Sequence, residues 1–233
     1  MQALILAAGI GSRLAPLTNT QPKCFVEVNG IPILFKQIDN LYENGIRDIT
    51  IVAGYKSDYL IGRINVKYSG VKVIVNGDYN ETNNMYSAYM ARGEMKENFI
   101  MMNADVFFDA SVIASLCKHE APNAIVTEIG RYLDESMKVK MEKQKIMAIS
   151  KQISENEAYG VSIDIYKFSQ NAGKAFFGCI SHYIERKELN LWSEVALNDI
   201  LLQVDFAACP LNGRWVEIDN NEDLLLAEKI FVK

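Results

Sequence analysis

Histidine is almost missing from the 233 residues, with His119 and His182 alone, and the four cysteines, Cys24, Cys117, Cys179 and Cys209, stand far apart with no C-x-x-C pair. Structural zinc sites show paired ligand spacing, so none is expected here; the thiols are expected to be free and buried, in a reducing compartment. A long apolar run is missing too. Residues 1–8 are apolar but carry no basic flank, and Gly9, Ser12 and Arg13 interrupt them, so neither a signal peptide nor a membrane span is expected. The expected setting is the cytoplasm, without a membrane partner. Positive charge is not in excess: 24 Lys+Arg stand against 29 Asp+Glu, a net −5, which is a poor footprint for nucleic acid. With 49% hydrophobic residues and only 14 Gly and 5 Pro, disorder and collagenous repeats are excluded as well. What remains is a folded chain long enough for one good core, so a single domain over residues 1–233 is expected.

The hydrophobic pattern alternates strand and helix. Residues 3–7, 49–53 and 71–75 are short continuous apolar runs, the mark of strands buried on both faces. Between the first two, Leu34, Ile38, Leu41 and Tyr42 recur at helical spacing, with Gly45 placed as a C-cap. Asn83 or Asn84 is placed to cap a second helix carrying Met85, Tyr89 and Met90. Residues 99–102 form the next buried strand, ending in Asn103-Ala104-Asp105, and residues 124–129 another. This succession implies βαβ units and an α/β fold with a mixed, mainly parallel sheet flanked by helices, whose ligands lie outside the carboxyl ends of the strands. Residues 138–142 and 146–151 read as an antiparallel hairpin with one wet face, a small lobe over about residues 131–158. A strand over 160–168, helices over 172–186 and 192–202, a strand over 215–219 and a final amphipathic helix with Leu224, Leu225, Ala227 and Ile230 complete the pattern.

The chemistry concentrates at strand ends. After the first strand comes Leu6-Ala-Ala8-Gly9-Ile-Gly11-Ser12-Arg13-Leu14-Ala-Pro16-Leu-Thr18, then Gln21-Pro22-Lys23. Two glycines two apart let the backbone approach an anion closely, and Arg13 and Lys23 add fixed positive charge suited to a polyphosphate. A lone G-x-G also serves an ordinary tight turn; the dinucleotide fingerprint and the P-loop both fail, for want of a glycine at Leu14 and of Gly-Lys-Ser/Thr. Asp105, at a buried strand's end, is placed either to hold Mg²⁺ or to cap a turn. Alternation puts Glu217 and Asp219 on one face of the last strand, where two carboxylates share a cation or one of them caps the next helix.

Taken together, the extended run from Leu6 to Thr18 with Pro22-Lys23 resembles the signature of the nucleotidyltransferases that make nucleoside-diphosphate sugars and CDP-alcohols. The resemblance implies a Rossmann-like, glycosyltransferase-A-like fold and an enzyme that holds a nucleoside triphosphate on Leu6, Ala8, Gly9, Gly11, Ser12, Arg13 and Lys23, with Mg²⁺ as cofactor on Asp105 and Asp219. Asn83-Asn84-Met85-Tyr86-Ser87 is similar to the N-N-x-Y-S stretch of the phosphocholine cytidylyltransferase branch, where it lies near the base and the acceptor, and Ala104 before the metal Asp follows that branch too. By the same resemblance Lys151 contacts the acceptor's phosphate, and Glu128, Tyr159, Trp192, Glu194 and Glu217 are candidates for the acceptor pocket. The implied reaction transfers CMP from CTP to a small phosphomonoester of phosphoglutamine or phosphocholine type, releasing pyrophosphate. It supplies capsule or cell-surface polysaccharide synthesis, by a monomer or homodimer. A sugar-1-phosphate nucleotidylyltransferase and a non-catalytic nucleotide sensor are the rival readings. Against the first stand Ala104 and the run Ser150-Lys-Gln-Ile, and against the second the joint presence of Arg13, Lys23, Asp105 and Asp219.

Overall fold

The computed structural model describes residues 1–232. In chain order its elements are β1 (Gln2–Ala7), β2 (Glu27–Val28), β3 (Ile31–Pro32), α1 (Ile33–Glu43), β4 (Asp48–Ala53), α2 (Ser57–Lys67), β5 (Lys72–Val75), α3 (Asn84–Met90), β6 (Phe99–Asn103), β7 (Val106–Phe108), α4 (Ala110–Lys118), β8 (Ala124–Ile129), β9 (Lys138–Glu142), β10 (Lys145–Ser150), β11 (Gly160–Phe168), α5 (Gln170–Glu185), α6 (Ser193–Ile200), β12 (Ala207–Pro210), β13 (Trp215–Glu217) and α7 (Asn221–Ile230). Nine strands form one sheet whose main path runs β10-β9-β11-β6-β1-β4-β5. β1 pairs in parallel with both β4 and β6, and β4 with β5. The chain thus builds outward from β1 on one side through β4 and β5 and then returns to its other side at β6, a change of direction that opens a crevice at the carboxyl ends of β1 and β6.

All six residues of β1 are buried, and their alternation divides the core. Ala3, Ile5 and Ala7 face the cluster under α1, α2 and α4, while Leu4 and Leu6 face the cluster under α3, α5 and α6. A third cluster joins Leu14, Val26, Val28 and Ile33 to Phe107, Val216, Ile218, Ala227 and Phe231. It fastens the long loop after β1 to the two-stranded β7–β13 ladder and to α7.

One sequence expectation changes in detail. β8 does not extend the parallel run: it pairs antiparallel with β11 and in parallel with β12. A continuous apolar run records burial on both faces and is silent about strand direction. The hairpin β9–β10 turns through Lys143 and Gln144, both in the left-handed region at φ 47° and 69°, as a two-residue hairpin loop requires. The hairpin is antiparallel as expected, and β9 also pairs with β11, which joins it to the main sheet. Its outer strand is further tied to α6 by the Asn198 side chain, which accepts from Ile149 N at 2.9 Å and donates to Ile149 O at 2.6 Å.

Candidate active site

The crevice is entered from the loop after β1. Gly11 adopts φ +68°, and a Cβ there would sit 2.7 Å from Lys23 Cβ, so this position needs glycine both for its backbone and for the close approach of Lys23. The next residues form a short 3-10 turn, Ser12–Leu14, in which Leu14 is buried in the third cluster while the Arg13 side chain stays 67% exposed. Thr18 Oγ1 donates to Gly11 O at 3.0 Å and closes the loop on itself. The third 3-10 turn of the loop, Lys23–Phe25, buries Cys24 and Phe25 and so aims Lys23 back under the loop.

Opposite the loop lie three carboxylates. Asp105 sits in the turn between β6 and β7; Glu217 ends β13, and Asp219 follows two residues later. The β7–β13 ladder places Glu217 against Val106, and Ile218 N donates to Asp105 O at 2.9 Å, so the two segments are locked together. The capping box of α7 fixes the other side: Asp223 Oδ2 accepts from the backbone N–H of Asp219 and of Asn220. As a result, Asp105, Glu217 and Asp219 each bring an oxygen within 4.8 Å of the others. Lys23 Nζ bridges Asp105 Oδ2 at 2.8 Å and Asp219 Oδ1 at 2.5 Å, and Arg13 reaches Asp219 Oδ2 at 2.9 Å.

The electrostatics of the group follow from burial and these contacts. Burial works against the Lys23 ammonium, yet Asp105 and Asp219 outweigh it and hold the lysine above its ordinary range. Burial likewise opposes the charge on Asp219, but Lys23 and Arg13 keep its carboxyl below the usual carboxylate range. Burial, with the neighbouring Asp164, Asp105 and Asp219, pushes Glu217 up to about 9. Asp105 Oδ1 is buried and has no hydrogen-bond partner. A hard divalent cation takes oxygen ligands of this kind, one or two carboxylates with the rest from substrate and water, so this trio fits a magnesium-type ion.

Above the carboxylates opens a cleft. Leu6, Ala8, Gly9 and Arg13 line it from β1 and the loop that follows, Asn76, Tyr79, Asn83 and Asn84 from the β5–α3 connection and the start of α3, and Lys151, Trp192 and Glu194 from the segment after β10 and the start of α6. Asn83 caps α3 through its side chain, which accepts from Asn84 N at 2.8 Å. Asn84 joins three elements, accepting from Ser193 N at 2.8 Å and donating to Asn103 Oδ1 at 3.4 Å. Lys151 Nζ lies 5.1 Å from the centre of the Trp192 ring, within cation–π range. Gly11 and Ser12 shape the loop without lining the cleft, and Lys23 meets it through Asp105 and Asp219.

Two predicted residues do not reach the cleft. Glu128 is held by Arg131 at 2.8 and 3.0 Å and by Trp215 Nε1 at 2.7 Å, and Tyr159 is 38% exposed beside the β9 edge, its N–H on Val139 O. One important cleft residue escapes the sequence reading. Asp164 has φ +57° inside β11, at a register shift between Ser162 and Tyr166 that turns its carboxylate into the cleft. Tyr166 Oη lies 2.8 Å from Asp164 Oδ1 and 2.8 Å from Glu194 Oε1. Burial, then the nearby Glu194, raises the Asp164 carboxyl to about 7, and burial raises Glu194 as well. The available signal is one acidic residue inside the apolar run of residues 160–168.

Comparison with known proteins gives a consistent picture. The family model described as the MobA-like NTP transferase domain matches residues 3–140. Among curated proteins, the CTP:phosphoglutamine cytidylyltransferase of Campylobacter jejuni is 29% identical over 248 residues, covering 96% of this chain and 98% of its own length. A UTP–glucose-1-phosphate uridylyltransferase of Haloferax volcanii is 35% identical over 112 residues, but that match spans only 48% of this chain and 46% of the relative. Among solved structures, the CTP:phosphocholine cytidylyltransferase of Streptococcus pneumoniae superposes with a TM-score of 0.82 at 25% identity, over 99% of both chains.

Proposed function

Because the chain belongs to the MobA-like NTP transferase family, we propose that it transfers CMP from CTP to a small phosphomonoester and releases pyrophosphate. It is a nucleotidyltransferase, and its relatives include cytidylyltransferases. The observation that carries the finer reading is the meeting of Arg13 and Lys23 with Asp105, Glu217 and Asp219 beneath the glycine loop. Phosphoryl chemistry needs cations on the phosphate oxygens and carboxylates for a metal, and this group supplies both.

In this reading an oxygen of the acceptor phosphate attacks the α-phosphorus of CTP in line, and the bond to the bridging oxygen of the leaving pyrophosphate breaks. A phosphate monoester is largely ionised at neutral pH, with its second pKa near ~6, so no side chain has to remove a proton. Catalysis then rests on positioning and charge neutralisation. Arg13 pairs with Asp219 through Nη2, which leaves other donors of its guanidinium for the β- and γ-phosphates. Lys23, beneath Asp105 and Asp219, contributes the positive charge of its ammonium to the floor of the site, and Lys151 steadies the incoming phosphate. Asp105 and Asp219, with Glu217 beside them, would hold Mg²⁺, which would supply charge neutralisation at the transferring phosphate. Asn83 and Asn84 lie on the wall proposed for the base.

The lining by Lys151, Asp164, Trp192 and Glu194 favours an acceptor that carries both signs of charge. Lys151 stands over the face of Trp192, and its positive charge opposes a quaternary ammonium there. Glu194 and Asp164 are there to meet an amino group. An amino-acid phosphate such as phosphoglutamine, the acceptor in the name of the Campylobacter relative, suits that mixture. The partial match to a uridylyltransferase keeps a sugar 1-phosphate as the second reading. Among the described residues no helix is long and apolar enough to cross a membrane, and the proposed setting is the cytoplasm.

Pyrophosphate release measured over phosphoglutamine, phosphocholine and glucose 1-phosphate, each with CTP, UTP, dTTP, GTP and ATP, separates the readings. Turnover is expected with CTP and a zwitterionic phosphomonoester. Turnover confined to UTP or dTTP with glucose 1-phosphate would transfer the assignment to the sugar enzymes, and CTP binding without turnover on any acceptor would make the chain a sensor.

A further inference from the structure

The buried face of α1 carries two amides among its apolar residues. Leu34, Ile38 and Leu41 are fully buried there, and so are Gln37 and Asn40 between them. Gln37 Nε2 donates to Asn103 O at 2.9 Å and to Val106 O at 2.8 Å. These are the carbonyls on either side of Ala104-Asp105, so one side chain spans the turn that presents Asp105. Asn40 Nδ2 donates to Phe108 O at 2.7 Å, two residues further along β7. Gln37 Oε1 and Asn40 Oδ1 are both buried without a partner. A buried acceptor left unsatisfied is unfavourable, and an apolar side chain at Gln37 would avoid it. Anchoring the turn requires the two donors.

The Asp105 backbone has two further restraints. Ala104 N donates to Leu6 O at 3.0 Å, and Asp105 O accepts from Ile218 N at 2.9 Å. Both are backbone bonds that tie the turn to β1 and to the segment after β13. The Gln37 contact fixes the turn from the opposite side, against α1. β6 and β7 are not hydrogen-bonded to each other and belong to different sheets, so without Gln37 the two ends of the turn have no common anchor on the helix side. Asp105 must stand within a few ångströms of Glu217 and Asp219, and Gln37 sets the backbone from which it does so.

We propose that Gln37 is a positioning residue for the metal site: by clamping the carbonyls of Asn103 and Val106 it holds the Asp105 carboxylate in register with Glu217 and Asp219. The inference rests on the reading of Asp105 as a metal ligand. Side chains that orient a ligand from behind affect metal affinity roughly 10–100-fold.

The test titrates Mn²⁺ into the full-length protein with and without α,β-methylene-CTP, following loss of the free-Mn²⁺ EPR signal, alongside thermal unfolding. It compares wild type with Gln37→Leu, Asn40→Leu and Asp105→Asn. Gln37→Leu is expected to weaken Mn²⁺ binding about 10–100-fold and to raise the metal concentration needed for half-maximal pyrophosphate release, with much of kcat recovered at high metal. Asn40→Leu removes a comparable buried bond beyond the turn and is expected to lower Tm with Mn²⁺ affinity within about twofold of wild type. Gln37→Met serves as the second variant should Gln37→Leu fail to fold. Unchanged Mn²⁺ affinity in a folded Gln37 variant, or equal loss in Asn40→Leu at equal Tm, would reduce Gln37 to a packing role. Asp105→Asn separates the premises: loss of Mn²⁺ there with retention in Gln37→Leu overturns the positioning role alone, whereas wild-type binding by Asp105→Asn overturns the ligand reading and the inference with it.

Discussion

Asp105 and Asp219 approach the same ammonium from two parts of the chain that are more than a hundred residues apart, and each has a structural reason to be there. Replacing either with alanine removes a carboxylate from a group whose backbone is fixed by the β7–β13 ladder and the α7 cap. Turnover is expected to fall by on the order of 10³ or more, the scale of losing a preorganised electrostatic contact at the reacting phosphate, with circular dichroism unchanged. Near-normal activity of either variant would remove that residue from the proposed metal site. Asp164 gives a pH prediction. Its carboxyl is raised to about 7, so between about pH 4, where an unfolded aspartate loses its proton, and pH 7 the folded state binds the proton that the unfolded state has released. Stability from this group is therefore lost as pH rises through that window and is level above it. Asp164→Asn keeps the shape, can donate to Tyr166 and accept from Asn103, and is expected to raise Tm by several degrees at pH 8 relative to wild type, with a smaller difference near pH 4. Equal Tm differences at both values would show that Asp164 is ionised throughout. Arg13, Lys23, Asp105 and Asp219 were legible in the sequence because each lies in or beside a turn with an unusual local pattern. Gln37 and Asp164 were not, since their partners are brought to them only by the helix-to-strand packing and by a register shift in β11.

The loop after β1 is the element on which the site depends most. Its Gly11 occupies the left-handed region and leaves Lys23 the space it uses. Gly11→Ala is expected to cost about 1–2 kcal/mol from the backbone alone. That corresponds to a fall in Tm of a few degrees in a chain of this size. Because the new methyl would also displace Lys23, pyrophosphate release is expected to fall much further than the stability loss explains, measured at a temperature where the variant is fully folded. Undiminished release would show that the loop's shape at Gly11 does not matter to the site. Elements with strong periodicity, such as β1, α1 and the β9–β10 hairpin, were readable before the structure was known. The short β7 and β12, and α2 with Leu60 and Ile64 as its buried residues, carry too few apolar positions to announce themselves. The direction of β8 was also out of reach, because pairing is decided by where β11 and β12 return.

Across the whole molecule, a mildly acidic chain gathers Arg13 and Lys151 in the lining of one cleft and Lys23 beneath its carboxylates, while Asp105, Glu217 and Asp219 supply the opposing charge. A net −5 speaks against an extended polyanion; it is compatible with one triphosphate held in a pocket. The sheet explains the location. The order β6-β1-β4-β5 opens the crevice where the chain changes direction, and the glycine loop and the Asp105 turn are the two carboxyl-end connections that border it. The most direct measurement is ³¹P NMR of the protein with CTP, Mg²⁺ and phosphoglutamine. The expected result is loss of the CTP resonances with the appearance of pyrophosphate and of a coupled pair of diphosphate signals from the CDP-linked product. Unchanged CTP and acceptor resonances from folded protein that binds CTP, with phosphocholine as acceptor as well, would contradict a cytidylyltransferase of this kind.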